Sequence, residues 1–76
     1  MNFKERIDSL RRLHLLILRK ATGTPDELAR KLGISPPSLF RHIEILKEFG
    51  APVAFCRTHQ RYYYTEDFEL DFNRKF

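Results

Sequence analysis

Residues 24–50, TPDELARKLGISPPSLFRHIEILKEFG, constrain the fold more than any other stretch. Thr24 is a helix N-cap, with Pro25 at the first helical position and Glu27 placed to close a capping box. Leu28, Ala29 and Leu32 carry that helix on one apolar face. Gly33 follows, where a helix ends in a left-handed residue. Ile34 is the hydrophobe of the turn. Ser35 caps the next helix and Pro36 opens it. Leu39, Ile43 and Leu46 recur at spacings of four and three, so they share a face. Gly50 stops the helix and Pro52 prevents its resumption. The spacing therefore predicts helices over 25–32 and 36–49, joined by one tight glycine turn.

The chain has 76 residues, 42% of them hydrophobic and 32% charged. That composition fits one small globular domain rather than a disordered segment. No apolar run approaches the roughly 20 residues of a membrane span. The start, MNFKERIDSLRRLH, has no signal-peptide apolar region. A lone Cys56 excludes an internal disulfide framework and a cysteine-based zinc site. A cytoplasmic protein with no membrane partner is the expectation. The net charge is +4 and unevenly spread. Through residue 61 there are twelve Lys/Arg against six Asp/Glu; beyond it there are two against four. A basic body with an acidic tail fits a polyanionic partner.

Before the central stretch, Phe3, Ile7, Leu10, Leu13, Leu16 and Ile17 repeat at helical period, predicting a helix over 2–20. Leu15 and Leu18 fall beside the stripe, so this helix is buried on more than one side or meets another chain. His14, also beside the stripe, reads as a packing residue, since no second ligand stands at metal-site spacing. Ala21-Thr22-Gly23 is a short connection.

After it the period changes to two. Val53 and Phe55 alternate with Ala54 and Cys56, and Tyr62 and Tyr64 alternate with Tyr63. A polar tip, Arg57-Thr58-His59-Gln60, lies between. Two such runs predict a hairpin over 52–65. Its tip lacks two-residue turn chemistry, which predicts a longer loop. Val53, Phe55, Tyr62 and Tyr64 are expected to face the helices. The tail, residues 66–76, alternates Phe68, Leu70 and Phe72 with Glu69 and Asp71, a strand-like pattern. It is free to fold back over the domain or to pair with a second copy.

The fold class is thus mainly α with a small β-hairpin, in the order helix, two helices about a turn, hairpin. The segment from Leu13 to Tyr64 resembles the N-terminal winged helix-turn-helix domains of DeoR-type, biotin-repressor-type and WYL-domain bacterial transcriptional regulators. TPDELARKLGIS, SLFRHIEILKEFGAPV and the RYYY closing the hairpin carry that resemblance. It implies a three-helix winged helix-turn-helix that binds duplex DNA, commonly as a dimer in transcription control. In such domains the positions of Pro36 and Pro37 often hold polar or basic residues that touch DNA. Two prolines offer no hydrogen-bond donor there, which shifts the expected affinity toward backbone contacts. Those regulators usually continue into an effector domain, for which this chain leaves no room, and no small-molecule effector is identifiable.

Candidate contacts follow from position. On the second helix of the pair, Ser38, Arg41, His42, Ile45 and Lys47 are expected on the solvent side. Arg41, whose fork reads guanine or clamps phosphate, is the leading candidate; Ser38 and His42 are its neighbours. Ser35 caps the helix whatever it does for a phosphate. Arg57, His59 and Arg61 at the hairpin tip are placed to meet the DNA backbone. No Ser/His/Asp order, glycine-rich phosphate loop or HExxH occurs, so no enzyme, cofactor or metal is expected. A homodimer is expected from the surplus apolar surface of Leu15, Leu18, Phe68, Leu70 and Phe72. The rival function is a protein-interaction adaptor on a winged helix that does not bind DNA, with Pro36, Pro37, Phe40 and Ile45 exposed together as its patch.

Overall fold

The structure, a computed structural model, describes residues 2–71. Its elements are α1 (Phe3–Leu18), α2 (Pro25–Leu32), α3 (Pro36–Glu48), β1 (Val53–Cys56) and β2 (Arg61–Tyr64). Each helix starts where a short polar side chain can take up an orphan backbone N–H. Asn2 accepts from the Glu5 N–H at 2.8 Å. Thr24 and Glu27 form the full capping box: Thr24 Oγ1 accepts from the Glu27 N–H at 3.3 Å, and Glu27 Oε1 accepts from the Thr24 N–H at 3.1 Å. These Thr24 bonds hold the Glu27 carboxyl below the usual carboxylate range. Ser35 accepts from the Ser38 N–H at 3.3 Å.

The helix ends are equally local. Gly33 is left-handed at φ 69°, with its N–H donating to the Arg30 carbonyl and the Ile34 N–H to the Ala29 carbonyl. That pair of bonds closes α2 and aims the chain into α3. Gly50, at φ 94°, ends α3 in the same way, with the Ala51 N–H donating to the Leu46 carbonyl.

Leu10, Leu13 and Ile17 of α1, Leu28, Ala29 and Leu32 of α2, and Leu39, Ile43 and Leu46 of α3 form the core, joined by Ala51. The hairpin pairs Val53 with Tyr64 and Cys56 with Arg61, antiparallel. Its tip is the four-residue turn 57–60, with Gln60 left-handed at φ 50°. Val53, Tyr62 and Tyr64 pack against the helical core. Phe55 does not: it is 41% exposed and rests on Tyr62 with ring centroids 5.1 Å apart. It shares the expected strand face, but lies toward the tip, beyond the reach of the helices.

At the ends of the chain one expectation is corrected and one open alternative is decided. Phe3 is 79% exposed, so the apolar stripe of α1 begins to be buried only about one turn later. Residues 67–71 form no strand. Instead Phe68 and Leu70 fold back onto the protein's own core, and Phe68 meets the rings of His14 and Tyr64 edge-on at 5.7 and 5.4 Å. Phe72 lies outside the described residues.

His14 is buried and its Nδ1 lies 2.9 Å from Tyr64 Oη, tying α1 to β2. Burial lowers the His14 pKa from its ordinary 6.5, against an opposing pull from Glu69. Burial also raises the Tyr64 phenol well above its ordinary value, so it keeps its proton. A neutral His14 can accept that O–H at Nδ1; a protonated ring cannot.

Two predictions follow from these local features. Gly33→Ala puts a Cβ on a left-handed residue with open space around it, so backbone strain acts alone. It should lower stability by about 1–2 kcal/mol; an unchanged denaturation midpoint would show that the turn tolerates another backbone. The His14 value is depressed on folding, so its contribution is whole above the unfolded value and lost as pH falls through the folded one. The melting temperature should therefore be level from about pH 8 to 7 and fall below about pH 6.5. His14→Gln should flatten the part of that acid arm nearest neutrality, and an identical arm in the variant would contradict the assignment.

Candidate nucleic-acid interface

The inward face of α3 fixes what its other faces present. With Leu39, Ile43 and Leu46 buried, the side chains of Pro36, Pro37, Phe40, Arg41, Glu44, Lys47 and Glu48 are left exposed, and Ser38 is half-buried. The Ser38 hydroxyl accepts from Ser35 Oγ at 3.1 Å, which leaves its own O–H free to donate. The Arg41 guanidinium has no hydrogen-bond or ion-pair partner among the described residues. Ser38 and Arg41 thus stand together on the first half of α3, with their donors available.

His42 is not on the solvent side. It is 4% exposed, and its Nδ1 donates to the Ser38 carbonyl at 2.7 Å. A helix of 3.6 residues per turn sets it only about 60° from Leu39, on the flank of the apolar arc. Its role in the fold is to brace the first turn of α3 through Ser38. Ile45 is likewise partly buried against the core. Lys47, near the far end of α3, lies 3.6 Å from Glu44, an exposed pair worth little in stability.

The hairpin carries the remaining candidates. Arg57 and His59 are exposed on the turn and Arg61 is half-buried at the start of β2. The turn is tied internally: the His59 N–H donates to Cys56 Sγ at 3.5 Å, and His59 Nδ1 lies 3.4 Å from the same sulfur. Arg61 shares a shallow hollow with Lys20, Cys56, His59, Tyr62 and Tyr63. The Tyr62 phenol is raised above its ordinary value, first by burial and second by Glu44.

One residue missed in the sequence joins this surface. Arg6 of α1 lines a cleft of about 330 Å³ together with Ser38, Arg41, His42 and Ile45. No local signal reveals this, because only the packing of α1 across α3 brings residues 6 and 41 to one cleft. Among the described residues no cluster of His, Cys, Asp and Glu could hold a metal ion, and no helix is long and apolar enough to cross a membrane.

The order of elements, the glycine turn between α2 and α3, and the antiparallel hairpin after α3 make this a winged helix-turn-helix. A family model described as an HTH domain matches residues 10–55, from the middle of α1 into β1 and over more than half of the chain. No curated protein and no solved structure matches the chain. The chain belongs to the HTH domain family, a membership that supports binding of double-stranded DNA.

Proposed function

We propose that this protein is a small bacterial transcriptional regulator that binds duplex DNA in a sequence-directed way. The first half of α3 enters the major groove and the hairpin lies alongside as the wing. The observation that carries the reading is the pairing of Ser38 and Arg41, both with free donors, on the open side of a helix whose other side is locked into the core. Arg41 reads a base edge, Ser35 and Ser38 sit beside it, and Arg57, His59, Arg61 and Lys47 meet phosphates. His42 acts indirectly, by holding the backbone of Ser38 in place. The excess of basic over acidic residues through residue 61 supports the same partner.

The active species is a homodimer acting in the cytoplasm. Its support is the exposure of Leu15 and Leu18 on α1, apolar groups that the core does not use. The tail gives less support than its pattern suggests, because Phe68 and Leu70 are already packed on their own domain. The adaptor reading keeps one favourable observation: Pro36, Pro37 and Phe40 are exposed together at the start of α3. Ile45, the fourth member of that patch, is partly buried.

Titration of labelled duplexes, candidate operators beside scrambled controls, separates these readings. Arg41→Ala should weaken specific binding by about 1–3 kcal/mol and relax base preference at its site. Arg57→Ala or Arg61→Ala should weaken binding to every sequence and reduce the salt slope by about one unit. Two chains per operator are expected, and one chain per operator would remove the dimer. A wild-type Kd no better than about 100 μM at low salt would remove the DNA reading and leave the adaptor.

A further inference from the structure

The cleft between α1 and α3 holds two arginines from different elements. Arg6 comes from the end of the first turn of α1, and Arg41 from the middle of α3. Neither guanidinium has a hydrogen-bond or ion-pair partner among the described residues. Ser38, His42 and Ile45 complete the lining, so the cleft wall includes no carboxylate. Two like charges lining one cleft without a carboxylate in its wall present an anion with positive charge from both sides.

One polar group of the same wall agrees with this. The Ser38 hydroxyl, occupied as an acceptor by Ser35, has its proton free to donate. His42 contributes position rather than a bond to the anion, its Nε2 being buried and without a hydrogen-bond partner among the described residues. Its ring is fixed by the short bond from Nδ1 to the Ser38 carbonyl. A carbonyl only accepts, so Nδ1 is the donor of that bond.

We propose that this cleft is a phosphate subsite, filled by a backbone phosphodiester of bound DNA, and that Arg6 makes α1 a third contacting element beside α3 and the wing. The inference rests on the DNA-binding reading and adds a contact to it. Arg6 and the Ser38 hydroxyl hold the non-bridging oxygens from one side, and Arg41 gives one N–H to the same phosphate while the rest of its fork faces the base edge. Guanidinium groups suit this task, being planar, always charged and forked. The contact carries no base information. It sets how far α3 advances into the groove, because the phosphate is held between the recognition helix and a second helix packed on it.

The test uses the full chain and duplex DNA over a range of salt concentrations. Arg6→Ala and Arg6→Gln should weaken binding to operator and scrambled duplex alike, by about fivefold to tenfold near 0.1 M salt, and reduce the salt slope by about 0.9, the value for one phosphate. Arg6→Lys should restore the slope, since charge is kept. Arg6 is exposed, so the variants should melt with the wild type. The Arg6→Ala/Arg41→Ala double variant should lose less than the product of the single losses, because the two share one phosphate. If Arg6→Ala binds as wild type does while Arg57→Ala is weakened, the subsite is wrong and the DNA reading survives. If the wild type binds no duplex, both fall. A parallel titration with inorganic phosphate distinguishes the sources. Arg6-dependent phosphate binding with no Arg6 effect on duplex affinity would assign the cleft to a small anion and overturn the proposal.

Discussion

The burial of Leu39, Ile43 and Leu46 against α1 and α2 decides what α3 has left to offer a partner. Each such side chain, taken out of water, stabilises the fold by about 2 kcal/mol. The exposed Lys47–Glu44 pair contributes at most a few tenths of a kcal/mol. Helix orientation is therefore set by the apolar face, and the charged residues take the positions that remain. Rotating α3 to bring His42 out would withdraw those aliphatic side chains from the core, a loss no surface charge could offset. The glycine turn serves the same packing: Gly33 lets α2 stop and α3 start within a few residues, so both can lean on α1.

The hairpin and the tail extend this core rather than hang from it. Val53, Tyr62 and Tyr64 pack beneath β1 and β2, and the His14–Tyr64 bond fastens the second strand to α1. Phe68 covers that junction with its ring edge. The wing thus has an anchored base and an open tip, where Arg57 and His59 are exposed. Anchoring fixes the wing's direction relative to the helices. The same packing of α1 across α3 brings Arg6 to the cleft beside Arg41. Positive groups from two separate elements then line one cleft, and neither belongs to the core.

Most of the fold was legible because its signals are local. Thr24, Pro25, Gly33, Ser35 and Pro36 mark helix limits through their own backbone preferences, and α2 falls where those residues put it. Periodicity gave the buried faces of α2 and α3, and the strand alternation gave the inward face of the hairpin. What periodicity cannot give is depth. Phe55 is on the correct face but too far along its strand to be covered, and Phe3 is on the stripe but precedes the packed part of α1. His42 was readable: its place on the flank of the apolar arc outweighs its polarity once Nδ1 can reach the Ser38 carbonyl one turn back. In the tail, alternation alone cannot distinguish a strand from an extended segment with every second side chain packed, and of the two arrangements left open it is folding back over the domain that the structure shows. Arg6 was not readable, since its cleft depends on how two helices distant in sequence cross.

The central claim is that the open face of α3, with the wing and the start of α1, is the surface that meets duplex DNA. Amide and side-chain chemical-shift mapping of the isotopically labelled protein during titration with a duplex tests it most directly. The account predicts shifts gathered at Arg6, at residues 35–41 and at residues 57–61, with Arg6 and Arg41 guanidinium signals among the most affected. Shifts confined to Leu15 and Leu18, or to Pro36, Pro37 and Phe40 only when a protein partner is added, would contradict it.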